Sequence, residues 1–121
     1  MRHVNEETRI MQEIRAALGL EGDLTLWRNN VGKATAYDDK QPDKPRYIKF
    51  GLCPGSADLV GILAPTGRLF ALEVKTPTGG FEDGQEEWLA LIVRRGGFAA
   101  VVRSVDEARA ALARARAGAS S

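Results

Sequence analysis

The 121-residue sequence carries 17 basic and 16 acidic side chains for a net charge of +1, with 44% hydrophobic and 27% charged residues. These values fit one globular domain around one core and exclude a disordered, fibrous or strongly charged chain, so any affinity for nucleic acid must come from local placement of charge. The single cysteine, Cys53, excludes an internal disulfide, no apolar run reaches the length of a bilayer span, and no leader-like opening is present, so the expected setting is cytoplasmic, with no membrane partner.

Residues 5–18 place Ile10, Met11, Ile14 and Leu18 at helical spacing, and Gly19 follows as a C-terminal cap. Glu7 precedes those residues by three, four, seven and eleven positions, which sets it in the centre of the apolar stripe, whereas Glu6 falls on its edge. An inward-facing glutamate needs a partner, although a first-turn acid also compensates the helix dipole. "LTLWRNN" alternates as a strand around Trp27, and "RYIKFG" as a short strand around Ile48. Residues 31–45 between them are polar, hold two prolines and lack a sustained period, which predicts a long loop or irregular hairpin.

"ADLVGIL" and "RLFALEVK" are β-rich runs joined by "APTG", so they are expected to form a hairpin whose strands are apolar on both faces, as under covering helices. Asp83 and Glu86 give a capping pattern ahead of a helix in which Trp88, Leu91 and Ile92 mark the apolar stripe and Gly96 the stop. "FAAVVR" reads as a buried strand, and Ser104 with Glu107 as a capping box for an alanine-rich last helix. Residues 118–121 read as a flexible tail after a domain spanning residues 1–117. The order predicts an α/β fold with a central mixed sheet flanked by helices.

The hairpin contains a conflict. With Pro65 and Thr66 central in the turn, Ile62 faces Leu69, Val60 faces Ala71, and Asp58 faces Glu73 on one side of the sheet with Lys75. Two opposed carboxylates are destabilising, and partial burial aggravates the repulsion. A divalent cation between them removes it, and oxygen ligands of this kind suit Mg²⁺ or Mn²⁺. Two carboxylates, a hard cation and a nearby lysine suit phosphodiester hydrolysis, with Lys75 orienting water or stabilising developing charge. The turn chemistry leaves the register open to a one-residue slip, which would separate the carboxylates onto opposite faces. Gln85, ten residues on, can return towards Lys75 from the start of the next helix.

"GSADLVGIL", the fifteen residues from Asp58 to Glu73 in "LEVK", Gln85 and the helix carrying Glu7 resemble the PD-(D/E)XK nuclease superfamily, with its restriction-endonuclease-like fold. Within it they most resemble the stand-alone phage and bacterial form of the virus-type replication-repair nuclease domain, VRR-NUC. "RGGFAAVVRSVDEA" matches that domain's closing pattern. The resemblance implies a Mg²⁺- or Mn²⁺-dependent DNA endonuclease of a bacterial cell or phage-infected host. Asp58 and Glu73 would bind metal with the Val74 carbonyl, Glu7 would support it, Lys75 would serve the water, and Gln85 would fill the family's glutamine position. It also implies a homodimer acting on branched DNA such as Holliday junctions. Ala57 stands where the superfamily's name has proline.

Between positions 28 and 49 basic residues outnumber acidic ones, with Trp27, Tyr37 and Tyr47 interleaved. Arg28, Asn29, Asn30, Lys33, Arg46 and Lys49 are the expected DNA contacts, by phosphate attraction and hydrogen bonding. The lone histidine, His3, gives histidine or zinc chemistry no support. Two rivals carry weight: a catalytically silent DNA-binding or assembly module, against which the intact Asp58, Glu73 and Lys75 speak, and a restriction-type enzyme, for whose reading domain 121 residues leave little room.

Overall fold

In the computed structural model, which describes residues 5–121 apart from the side chains of residues 33–35, 38, 48 and 50, the first element is a helix, α1 (Glu6–Leu18). Asn5 caps it by accepting the Thr8 N–H at 2.8 Å, and Ile10, Met11, Ile14 and Leu18 are buried, as the spacing predicts. The strands and helices that follow are β1 (Leu24–Arg28), β2 (Gly32–Asp38), β3 (Gln41–Phe50), β4 (Leu59–Leu63), β5 (Arg68–Val74), α2 (Gln85–Arg94), β6 (Phe98–Val102) and α3 (Val105–Arg116). His3 lies outside the described residues.

Strands β1, β4, β5 and β6 form one sheet in that order. The β1–β4 and β4–β5 pairs are antiparallel and β5–β6 is parallel, so the sheet is mixed as expected. The β4–β5 register pairs Val60 with Ala71 and Ile62 with Leu69, without a slip. Pairing ends at Leu63 and Arg68, so the turn is a four-residue loop in which Gly67 takes a φ of 73°. At the other end the last pair is Leu59 with Leu72, which leaves Asp58 and Glu73 as the next opposed residues.

One face of the sheet packs Leu59, Phe70, Leu72, Phe98 and Val102 beneath α1 and α3. The other packs Val60, Ala71 and Ala99 beneath α2. Because α2 has only 10 residues, that face is incompletely covered: Ile62 remains 44% exposed, against the expectation of hairpin strands buried on both sides, and Trp27 on the neighbouring β1 is 45% exposed. The stripe of α2 consists of Trp88, Leu89, Ile92 and Val93, and Leu91 points outward. Nor does Asp83 cap this helix. Gly84 is its N-cap at a φ of 85°, a left-handed conformation that disfavours side chains, and no side chain caps it.

Residues 31–45, expected as a long loop or irregular hairpin, are largely strand. Strands β2 and β3 pair as a separate antiparallel hairpin, with a register shift between Ala36 and Asp38, and the "RYIKFG" strand is the end of the longer β3. Pro42 and Pro45 fit β3 because both strands of a two-stranded ladder are edges, where a missing N–H is tolerated.

The chain end is tied down by polar contacts. The Ser104 hydroxyl caps α3 by accepting the Glu107 N–H at 3.1 Å. Arg116 reaches back to Asp23 and Glu21 at 2.6–2.9 Å, and the Ser120 carbonyl accepts the Ala99 N–H on the edge of β6. Among the described residues no helix is long and apolar enough to cross a membrane.

Ile14, fully buried between α1 and the sheet, holds the helix that carries Glu7. Ile14→Ala is expected to lower unfolding free energy by about 2–5 kcal/mol, read as a reduced urea midpoint with unchanged slope.

Candidate active site

The site forms where β5 outlasts β4. Beyond Leu59 the backbone no longer pairs with β5, and the Asp58 side chain takes over: its Oδ2 accepts the Val74 N–H at 2.9 Å. On the other edge β5 continues beside β6, with the Lys75 N–H donating to the Val102 carbonyl at 3.0 Å. Glu73 and Lys75 therefore sit on a fixed backbone, on the α2 face shared with Ala71, and are only 1% and 4% exposed.

Gln85, the first residue of α2, joins them. Its Oε1 accepts from Lys75 Nζ at 2.7 Å and from the Glu82 N–H at 2.8 Å, while its Nε2 donates to Glu73 Oε1 at 3.3 Å. Lys75 Nζ lies 3.6 Å from the same Glu73 oxygen. The amide thus fixes the spacing of acid and base. Glu7 and Asp58 line a polar cavity of about 220 Å³ together with Arg28, Asn30 and Gln85. Glu6 is exposed beside Arg9, so of the two first-turn acids it is Glu7 that faces the site.

Electrostatics set this cluster apart. Burial first, and then the neighbouring Asp58 carboxyl, push the Glu73 carboxyl up to about 9, with Glu7 adding to and Lys75 opposing the shift. Glu7 is raised too, by burial first and then by Asp58. Among the described residues, Glu73 Oε2 is buried with no hydrogen-bond partner. Asp58 satisfies it only when one of the two carboxyls keeps a proton, since ionised carboxylates are acceptors alone. A cation would offset the charge of the ionised pair, and Mg²⁺ is commonly held by one or two carboxylates with waters filling the remaining positions. The residues present therefore fit such an ion. Among the described residues no three His, Cys, Asp or Glu side chains converge as one ligand set, and Glu7 lines the same cavity as Asp58.

The expected DNA contacts divide. Arg28 and Asn30 are exposed on the cavity wall, and Arg46 and Lys49 are exposed along β3. The Lys33 side chain is outside the described residues. Asn29 departs from expectation: it is buried, its Nδ2 donating to Ser56 Oγ at 2.7 Å and to the Ala57 carbonyl at 2.9 Å, and its Oδ1 accepting the Leu52 N–H at 3.0 Å. Its own N–H donates to the Asp58 carbonyl at 2.7 Å. Asn29 shapes the turn into Asp58, the place where Ala57 replaces a proline. Arg103 is a residue that sequence reasoning missed. Its Nη1 donates to the Thr76 and Gly79 carbonyls at 2.6 and 2.7 Å, pinning the loop between Lys75 and Gln85. No local pattern announces it, because its partners are backbone oxygens more than twenty residues away.

The model of the VRR-NUC domain family matches residues 5–106. Among solved structures, one titled "VRR_NUC domain" superposes with a TM-score of 0.59 at 17% identity, covering 91% of this chain and 97% of that one. At that identity the likeness speaks for the fold. None of the curated proteins matches the sequence.

The raised Glu73 carboxyl has a stability consequence. Between its ordinary value of 4.5 and about 9 the folded protein binds more protons than the unfolded chain, so stability falls as pH rises through that window. In metal-free buffer, wild type is expected to lose stability relative to Glu73→Gln between about pH 5 and about pH 8, by at most about 1.4 kcal/mol per pH unit, in urea titrations. Added Mg²⁺ should reverse the trend in wild type alone.

Proposed function

The chain belongs to the VRR-NUC family of nucleases, and from that premise we propose that it is a Mg²⁺- or Mn²⁺-dependent endonuclease cutting branched DNA. The observation that carries this reading is the buried Glu73 Oε2 opposite Asp58, without a hydrogen-bond partner among the described residues, with Lys75 held beside it. Asp58 and Glu73 would hold the ion with the Val74 carbonyl, and Glu7 would support the site from α1. When bound, the ion lowers the pKa of water and offsets phosphate charge.

The chain's own groups do the rest. Lys75, with three donors and one of them committed to Gln85, orients the attacking water and stabilises negative charge growing on the phosphate oxygens. Gln85 keeps Lys75 from collapsing fully onto Glu73, where the two would only neutralise one another. Arg28 and Asn30 on the cavity wall take flanking phosphates, and Arg46 and Lys49 extend that contact along the hairpin.

A homodimer belongs to the same reading, because symmetric incision of a junction needs two sites. The exposed Trp27 and Ile62, neighbours on the uncovered part of the α2 face, give it an apolar surface. The reading places the protein in the cytoplasm of a bacterial cell or phage-infected host.

Supercoiled plasmid and a four-way junction incubated with Mg²⁺ or Mn²⁺ test the chemistry. Glu73→Gln and Lys75→Ala should each slow cleavage about a hundredfold or more, while Arg94→Ala should match wild type. Equal cleavage by all three variants would remove these residues from the site, and no cleavage of any DNA would favour a binding module. In light scattering, Trp27→Asp is expected to give a monomer where wild type gives a dimer; a wild-type monomer with and without DNA would count against paired incision.

A further inference from the structure

Beside the polar cavity lies a second groove of about 450 Å³, and the two share Val31, Gly55, Glu82 and Asp83 as walls. Their linings differ in kind. The first is ringed by carboxylates, an arginine and amides, whereas Leu52, Cys53 and Pro54 give the second an apolar side, with Lys49 at its margin. Glu82 and Asp83 stand along the shared wall.

Leu52 is 61% exposed, yet it is held in place. Its N–H is bound by the buried Asn29 amide, and the turn after it is closed by Ser56, whose Oγ donates to the Cys53 carbonyl at 2.6 Å. Gly55, at a φ of 85°, lets this turn touch the loop before α2: a Cβ there would lie 2.7 Å from the Gly84 carbonyl. A buried polar network thus presents a leucine to solvent on a rigid frame, next to the cavity where a phosphate would sit.

We propose that this groove takes a nucleobase of the DNA strand whose backbone occupies the polar cavity, and so selects unpaired, splayed nucleotides over intact duplex. The inference rests on the nuclease reading and adds the substrate feature that the site reads. An apolar wall suits the face of a base, and carboxylates accept hydrogen bonds from exocyclic amino groups such as that of cytosine. Arg28 and Asn30, which line only the neighbouring cavity, draw the phosphate there, and the base is what remains to enter the apolar groove. Thymine offers its exocyclic oxygens only as acceptors and is the poorer occupant.

The test is binding without cleavage, in EDTA, by fluorescence anisotropy of short single-stranded oligonucleotides: all cytidine, all thymidine, or all abasic. Wild type should bind the cytidine strand roughly tenfold more tightly than the abasic strand, and also more tightly than thymidine. Leu52→Ala should bring the cytidine-to-abasic ratio towards one, and Glu82→Gln combined with Asp83→Asn should remove the preference for cytidine over thymidine. Thermal melts identical to wild type exclude misfolding, because all three positions are exposed. Equal binding of base-bearing and abasic strands, a ratio unmoved by Leu52→Ala, or no binding of any strand overturns the proposal. Failure of the nuclease reading would look different: base-dependent binding would persist while Glu73→Gln and wild type showed the same cleavage.

Discussion

The hydrogen bond from the Val74 N–H to Asp58 ends the pairing of β4 with β5 and begins the site in one contact. A strand that runs past its neighbour would expose an unpaired N–H, and a buried one costs free energy. Here a carboxylate supplies the missing acceptor, which brings it opposite Glu73 at the point where solvent is excluded. Repulsion between the two acids is therefore built into the hairpin. Every nearby feature answers to it: the Lys75 ammonium, the Gln85 amide bridging acid and base, and the raised Glu73 carboxyl.

The remainder of the fold keeps that contact in place. Strand β6 pairs in parallel with the far edge of β5 and carries it past the end of β4. Helix α1 packs on one face and delivers Glu7, and α2 on the other delivers Gln85 from its first residue. Asn29 fixes the turn before Asp58 and Arg103 fixes the loop after Lys75, so both approaches to the pair are held by buried or partly buried polar bonds to backbone carbonyls. Such support makes geometry a property of the frame, which is what a site relying on position and electrostatics requires.

Much of this was legible in the sequence because strand pairing follows an arithmetic of alternation. The register that sets Asp58 against Glu73 could be counted from "APTG", and the phase of α1 chose Glu7 over Glu6. Side-chain bonds to distant backbone were not legible. Asn29 looked like a surface donor in a basic stretch, since nothing local shows that Ser56, Ala57 and Leu52 enclose it. Asp83 matched a capping pattern but lost the cap position to Gly84, whose left-handed turn lets the loop meet Gly55. The prolines of β3 concealed a strand because their usual penalty applies to central strands, and this one belongs to an isolated two-stranded ladder.

The central claim is that a divalent cation belongs between Asp58 and Glu73. Anomalous diffraction from a crystal equilibrated with Mn²⁺ tests it most directly. The account predicts a peak within coordination distance of both carboxylates and the Val74 carbonyl, absent from Glu73→Gln. A crystal with no peak there, or with Mn²⁺ bound only elsewhere on the surface, would contradict it.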